Sequence, residues 1–315
     1  MRLIRCLSDF KGTPNGVSLA IGNFDGFHKG HQAVVEAMKE KARIYDLTSA
    51  VMIFEPQPLE FFSKSNAPAR LYSLRDKLQA LEVAGVKLVF CMKFDSKFAS
   101  MSAHDYVIEL LHKRLGVKSV TVGTEFNFGK GGAYTIEDLK TIGSEVSMDA
   151  QAIDGVEIDG IRVSSTRIRS YLCEGRLDLA RAALGRYYSI SGAVVHGFAF
   201  GRTLGFATAN VNINRRISPL SGVFAVKVFC PFWRRELKLP PAHAMMVPTN
   251  DGKGASCAWI RKKRQRCCGS WRSDFISTPN ATRAFSGPRR RPGFWPGRRL
   301  WAAWHRWRRP AESRT

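Results

Sequence analysis

Residues 21–32 read IGNFDGFHKGHQ, from Ile21 to Gln32, and the reading of this stretch decides the fold. An apolar run, Val17 to Asn23, leads into it and predicts a strand. His31 to Ile44 leads out of it with apolar residues at 34, 35, 38, 42 and 44 among charges, the spacing of a helix. Between them Gly22, Gly26 and Gly30 let the backbone turn tightly and approach a bound group closely. Backbone N–H groups at such a helix start favour phosphate. His28 and His31, three apart at that point, can donate hydrogen bonds to a triphosphate and to charge building on a transferred phosphorus, while Asn23, Phe24 and Asp25 shape the loop. Zinc is a poorer occupant, because a catalytic zinc wants three protein ligands and no third lies nearby. A plain glycine turn with two solvated histidines leaves the crowding of glycine, aspartate and histidine within ten residues without a reason.

Working outward, apolar runs keep alternating with amphipathic stretches. A strand is predicted over Ala50–Phe54, a helix over Leu74–Ala84, a strand over Lys87–Met92, a helix over His104–Arg114 and a strand over Val117–Gly123. The pattern is that of an α/β domain with a doubly wound parallel sheet, whose ligands bind beyond the carboxyl ends of the strands. Three more segments occupy such positions. FEPQP, Phe54 to Pro58, ends a strand and stiffens the following loop through Pro56 and Pro58. VGTEFNFGKGG, Val122 to Gly132, carries Glu125 and Asn127 among aromatic rings. In VSSTRIR, Val163 to Arg169, Ser165 or Thr166 is expected to cap a helix while Arg167 and Arg169 face phosphate oxygens.

The chain has 315 residues, 44% of them hydrophobic, enough for two cored domains. No stretch approaches the roughly 18 apolar residues of a membrane-spanning helix, and the N-terminus MRLIRCLSDFKG lacks the apolar centre of a signal peptide. A cytoplasmic location is expected. The seven cysteines show no CxxC spacing, so reduced thiols are expected. The net charge of +23 suggests a nucleic-acid binder until it is located. Residues 231–315 hold 20 of the 49 Lys and Arg but 4 of the 26 acids, and all seven tryptophans. The remaining 230 residues are close to balanced.

Taken in order, GNFDGFHKGH, FEPQP, VGTEFNFGKGG and VSSTRIR resemble the adenylyltransferase half of the bacterial bifunctional riboflavin kinase/FAD synthetase family. GNFDGFHKGH alone is similar also to pantetheine-phosphate and nicotinate-mononucleotide adenylyltransferases. Glu125 departs from the resemblance, since the family usually has Asp or Asn there. GRTLGFATANV, Gly201 to Val211, decides for the flavin family because it resembles the flavokinase motif GRxLGFPTANV, with Ala207 in place of the proline. The resemblance implies ATP, FMN and riboflavin as substrates and Mg2+ as cofactor. It further implies catalytic roles for His28, His31 and Arg169 and nucleotide contacts from Gly22 to Gly26, Gly30, Ser165, Thr166 and Arg167. Flavin contacts would come from Phe54, Pro56, Pro58, Glu125 and Asn127. Kinase ATP contacts would come from Gly201, Arg202 and Gly205, with Thr208 and Asn210 on magnesium.

Three regions are expected: an adenylyltransferase domain over 1–185, a partial, incomplete β-barrel kinase domain over 186–235, and a basic, disordered Arg/Trp-rich tail over 236–315. Between Glu236 and Glu312 no glutamate occurs, so the kinase's proton acceptor has no counterpart. The tail shows no sustained period, and low acid content with abundant Arg, Trp, Pro, Gly and Cys is what an out-of-frame reading of GC-rich DNA gives. A frameshift near residues 230–240 and an impaired kinase are expected. Two rivals stand beside this: an adenylyltransferase for another phosphorylated acceptor, and a tail that binds nucleic acid through interleaved Arg and Trp.

Overall fold

The computed structural model describes residues 1–63, 66–195, 207–220, 222–229, 242–250, 255–261 and 299–304. Strands β1 (Arg2–Ile4), β2 (Val17–Ile21), β3 (Thr48–Glu55), β4 (Leu88–Lys93), β5 (Val117–Gly123) and β6 (Asp149–Ile153) form one sheet in the order β1-β4-β3-β2-β5-β6. Every neighbouring pair is parallel. β2 is buried along its whole length and β3 along nearly all of it, as expected of strands covered on both faces. Alternate residues feed two core layers. Leu19, Ile21, Met52, Phe54, Phe90 and Met92 face one, together with Val107 and Leu111 of a π-helix, Asp105–Arg114. Ala20, Val51, Ile53, Val89 and Cys91 face the other, with Val34, Val35 and Met38 of α1 (Lys29–Ile44).

From β2 the chain steps to β3 and β4 on one side and later to β5 and β6 on the other, so the strand order reverses between β2 and β5. A crevice at that reversal is where open α/β sheets take their ligands. The predicted strands and helices lie within a few residues of the observed ones, but β1 and β6 go beyond them. Both are edge strands, one of three residues, too short for a pattern to show.

Helices α2 (Pro58–Ser63), α3 (Leu74–Val83), α4 (Ser96–Ala99), α5 (Ile136–Ser144), α6 (Ser165–Cys173) and α7 (Leu177–Leu184) complete the first region, with a small hairpin, β7 (Glu157–Ile158) and β8 (Ile161–Arg162). The second sheet is antiparallel and runs β10-β13-β12-β11-β14-β9, closing into a barrel. Its strands are β9 (Ser189–Val195), β10 (Ala207–Arg215), β11 (Phe224–Phe229), β12 (Ala242–Asn250), β13 (Ala255–Arg261) and β14 (Arg299–Trp304). The sequence leaves this barrel incomplete and the tail without strands. Instead β12, β13 and β14 come from residues beyond 235 and pair into the sheet. Runs of six to nine residues hold too few positions to display a period, and ladder hydrogen bonds use only backbone. Ile168, Leu172, Leu184, Tyr188, Ile190, Val211 and Val226 share a core, which joins α6 and α7 to β9, β10 and β11. Among the described residues no helix is long and apolar enough to cross a membrane.

Candidate active site

β2 delivers the chain at Ile21 into the loop 22–28, which ends in α1 with His28 as its N-cap. The loop is bent sharply: Phe24 and Phe27 hold positive φ of 47° and 42°, and Gly26 sits at 77°. Both phenylalanine rings are buried, and that burial holds them in a conformation large side chains rarely adopt. A Cβ on Gly26 would lie 2.7 Å from Leu71 Cδ1. A Cβ on Gly30 would crowd the His28 ring at 3.2 Å. The glycines of this motif therefore keep the loop folded onto its neighbours.

His28 and His31 stack with ring centroids 3.7 Å apart and planes 19° from parallel. The His31 N–H donates to His28 Nδ1 at 3.3 Å, which leaves the proton of a neutral His28 on Nε2. Burial pulls the His28 pKa down to about 4, with Arg186, Arg169 and Arg162 adding to the effect against Asp25. Burial likewise holds His31 well below the usual imidazole value, helped by His28, Lys77 and Arg186. At neutral pH the pair is a stack of two uncharged rings. Each can donate one N–H without carrying charge of its own.

Asp25 is the hub of the loop. It is buried, its carboxylate accepts the backbone N–H of Leu71 at 3.0 Å and of Tyr72 at 2.9 Å, and Arg169 donates to it at 2.7 Å. Ser165 Oγ donates to the Asp25 carbonyl at 2.9 Å. The helix that starts there is capped by Ser164, whose hydroxyl accepts from Arg167 N–H at 3.2 Å. The sequence places that cap one or two residues later; Ser165 is drawn instead to the loop 22–28. Arg169 also donates to the Ala69 carbonyl at 2.6 Å, so it braces the loop and segment 69–72 together. Thr166 and Arg167 are exposed at the start of α6.

Phe54, Pro56 and Pro58 lie at and beyond the end of β3, where the Glu55–Pro56 bond is cis. Phe54 packs edge-on to Phe94 at 5.8 Å and beside Phe98 at 5.4 Å. Phe98 touches Tyr106, Tyr106 touches Phe128, and Phe126 stacks on Phe128 at 5.8 Å. This aromatic row lies at the carboxyl ends of β3, β4 and β5. Glu125 is exposed and ion-paired with Arg162, and Asn127 donates to the Glu125 carbonyl at 3.3 Å. In the kinase motif, Gly201, Arg202 and Gly205 lie outside the described residues. Thr208 and Asn210 stand two apart on β10, with Asn210 half-buried. Hydroxyl and amide oxygens are the donors a hard cation such as magnesium takes. Among the described residues no three His, Cys, Asp or Glu gather as a metal site.

Two arginines escaped the sequence reading. Arg186, just past the expected domain boundary, donates to the carbonyls of Gly26 at 2.5 Å and Phe27 at 2.8 Å and also to the Tyr72 hydroxyl. Arg70 pairs with both Glu55 and Glu60. Neither sits in a glycine-rich or repeated pattern, and what places them is contact across more than a hundred residues for Arg186 and across 10 and 15 residues for Arg70.

An open parallel sheet with HxGH opening the helix at its switch point defines a nucleotidyltransferase. The FAD synthetase family matches residues 11–167 and the riboflavin kinase family residues 184–244. The chain is 44% identical over 229 residues to the bifunctional riboflavin kinase/FMN adenylyltransferase of Escherichia coli K12, covering 72% of this chain and 73% of that one. It is 41% identical over 242 residues to the Haemophilus influenzae enzyme of the same name, covering 72% and 74%. The chain belongs to the family of bifunctional riboflavin kinase/FMN adenylyltransferases. A crystal structure of a macrolide-efflux protein from Streptococcus pneumoniae shares the fold, with a TM-score of 0.69, 23% identity and coverage of 99% of this chain and 92% of that one.

Proposed function

We propose that the first region, from the N-terminus to about residue 185, transfers the adenylyl group of ATP to FMN, giving FAD and pyrophosphate. An oxygen of the FMN phosphate attacks the α-phosphorus, and the bond to the β-phosphate bridging oxygen breaks as pyrophosphate leaves. No covalent enzyme intermediate is required. The observation that carries this reading is the stacked, uncharged His28/His31 pair at the sheet's switch point. His28 Nε2–H and the free N–H of His31 donate to phosphate oxygens and to the charge that grows on them, the kind of preorganised donation that lowers such a barrier. Ser165 and Arg169 hold the loop through Asp25, while exposed Thr166 and Arg167 stand at the start of α6 to meet the outer phosphates. Phe54 and the neighbouring rings offer a flat apolar wall for an isoalloxazine, with Pro56, Pro58, Glu125 and Asn127 on the surrounding loops.

The barrel is read as the riboflavin kinase domain, from about residue 186, with Thr208 and Asn210 holding the magnesium of Mg-ATP. When bound, that ion neutralises charge on the transferred phosphoryl group. The barrel's sheet draws strands from beyond residue 235, so an impaired kinase rests on the missing glutamate alone. Without a glutamate to take the riboflavin 5′-hydroxyl proton, and with Asp251 and Asp274 in no context that marks them as a base, this chain is expected to make little or no FMN. The composition of 236–315 is explained by a frameshift near residues 230–240, and resequencing the locus tests that directly: an intact frame restores an acidic strand.

Incubation with MgATP and FMN, and separately with MgATP and riboflavin, tests both halves. FAD from the first and nothing from the second is the expected result. No FAD from FMN refutes the adenylyltransferase reading, and FMN from riboflavin refutes the kinase reading.

A further inference from the structure

Lys77 lies in the opening turns of α3, between Leu74 and Leu78, which pack against the layer that holds Phe24, Val34 and Val35. Its side chain is only 1% exposed, and its Nζ finds no hydrogen-bond partner. An ammonium buried in that way is disfavoured, and burial pushes its pKa below that of an ordinary lysine. An apolar side chain of equal volume would fill the space at no such cost. The charged and titratable groups coupled to it electrostatically are Asp25 from the loop 22–28, Glu55 from the end of β3, Glu60 and Arg70 from the segment after it, Cys91 from β4 and His31 from α1. Three other buried polar atoms without partners belong to neighbouring segments: Asn23 Oδ1, His31 Nδ1 and Gln57 Nε2. Helix α3 is also tied to the loop, since Asp25 takes the N–H groups of Leu71 and Tyr72 just ahead of it.

We propose that Lys77 is a positioning residue for adenylyl transfer, its buried ammonium lying on the helix that packs on the layer of Phe24, whose ring sits 5.2 Å from that of His31, and adding positive field to the phosphate site. Lys77 does not reach the substrate. Its charge opposes protonation of His31, whose other charged or titrating neighbours are His28 and Arg186, and it favours the build-up of negative charge on the phosphates above. The inference rests on the adenylyl-transfer reading.

The test is FAD formation from FMN and MgATP by the wild type and by Lys77→Met, Lys77→Gln and Lys77→Arg, between about pH 4 and pH 8. In the neutral variants kcat falls at least about tenfold with the KM for FMN within about twofold. Their acid limb in kcat/KM moves to higher pH, because the charge that held the His31 proton off is gone. Lys77→Arg keeps the limb in place and recovers most of the rate. A neutral variant with kcat within twofold of wild type overturns the proposal, as does a slowed variant whose acid limb does not move. Thermal melts show which neutral variant folds, and if neither does, Lys77 is a structural residue and the proposal falls. A wild type that makes no FAD refutes the adenylyl-transfer reading itself and takes this inference with it.

Discussion

Arg169 and Asp25, 144 positions apart in sequence, meet at 2.7 Å in a largely buried pair that closes the loop 22–28 against α6. Asp25 spends its remaining acceptor capacity on Leu71 and Tyr72, so one carboxylate holds three segments together. Removing it strands a guanidinium and two backbone donors. Asp25→Ala is therefore expected to destabilise the domain by about 3–5 kcal/mol, the range for breaking a buried pair on one side. Urea unfolding measures this, and a loss below about 1 kcal/mol would show that the pair is not integral to the fold.

His31→Ala removes one of two stacked donors while leaving the N-cap bond of His28 to a backbone N–H that alanine retains. Turnover of FMN to FAD should drop by roughly a hundred to a thousandfold, the scale of losing one preorganised donor, with an unchanged melting temperature. A rate near wild type would remove His31 from the chemistry.

Gly26 combines a positive φ of 77° with a site where a Cβ meets the fully buried Leu71. Gly26→Ala is expected to cost about 1–3 kcal/mol through backbone strain and overpacking together. Leu71→Ala in the same chain should return part of that loss by making room, and a double variant no better than the sum of the singles would place the cost in the backbone alone.

Acid should weaken the unliganded protein through His28. Its pKa is about 4 when folded against 6.5 for the free side chain, so between those values the unfolded chain binds more protons. The stabilisation is whole above pH 6.5 and is lost as the pH falls toward 4, amounting to about 3 kcal/mol. His28→Gln should flatten the dependence of the urea midpoint on pH across that window. An equally steep curve in the variant would assign the acid sensitivity elsewhere.

The alternation of apolar runs and helical spacing made the parallel sheet legible because strands buried on both faces are mostly apolar, as β2 and β3 are apart from Ser18 and Ser49 and the two ends of β3. IGNFDGFHKGHQ was legible for a different reason: its glycines answer to backbone geometry, and Gly26 and Gly30 are tight against Leu71 and His28 as such a turn requires. What stayed hidden depends on distant partners. Nothing near Lys77 in sequence marks it as buried, since a lysine between leucines on a helix usually reaches solvent. Arg186 falls where the composition changes, yet it belongs to the loop at Gly26 and Phe27. Ser164 and Ser165 are equally good caps by sequence, and only the pull of the Asp25 carbonyl on Ser165 separates them.

Asp76 caps α3 in a reciprocal pair with Ser73 and also receives Arg215 of β10, at 3.3 Å, and the hydroxyl of Ser191 in β9. Arg215 is itself almost wholly enclosed and donates to the Tyr188 hydroxyl at 2.8 Å. The parallel-sheet region and the barrel are thus not interchangeable cassettes. A chimaera that grafts a relative's barrel onto this sheet inherits a buried aspartate, and it must bring an arginine and a serine at matching positions or leave that carboxylate with its bonds to Ser73 alone.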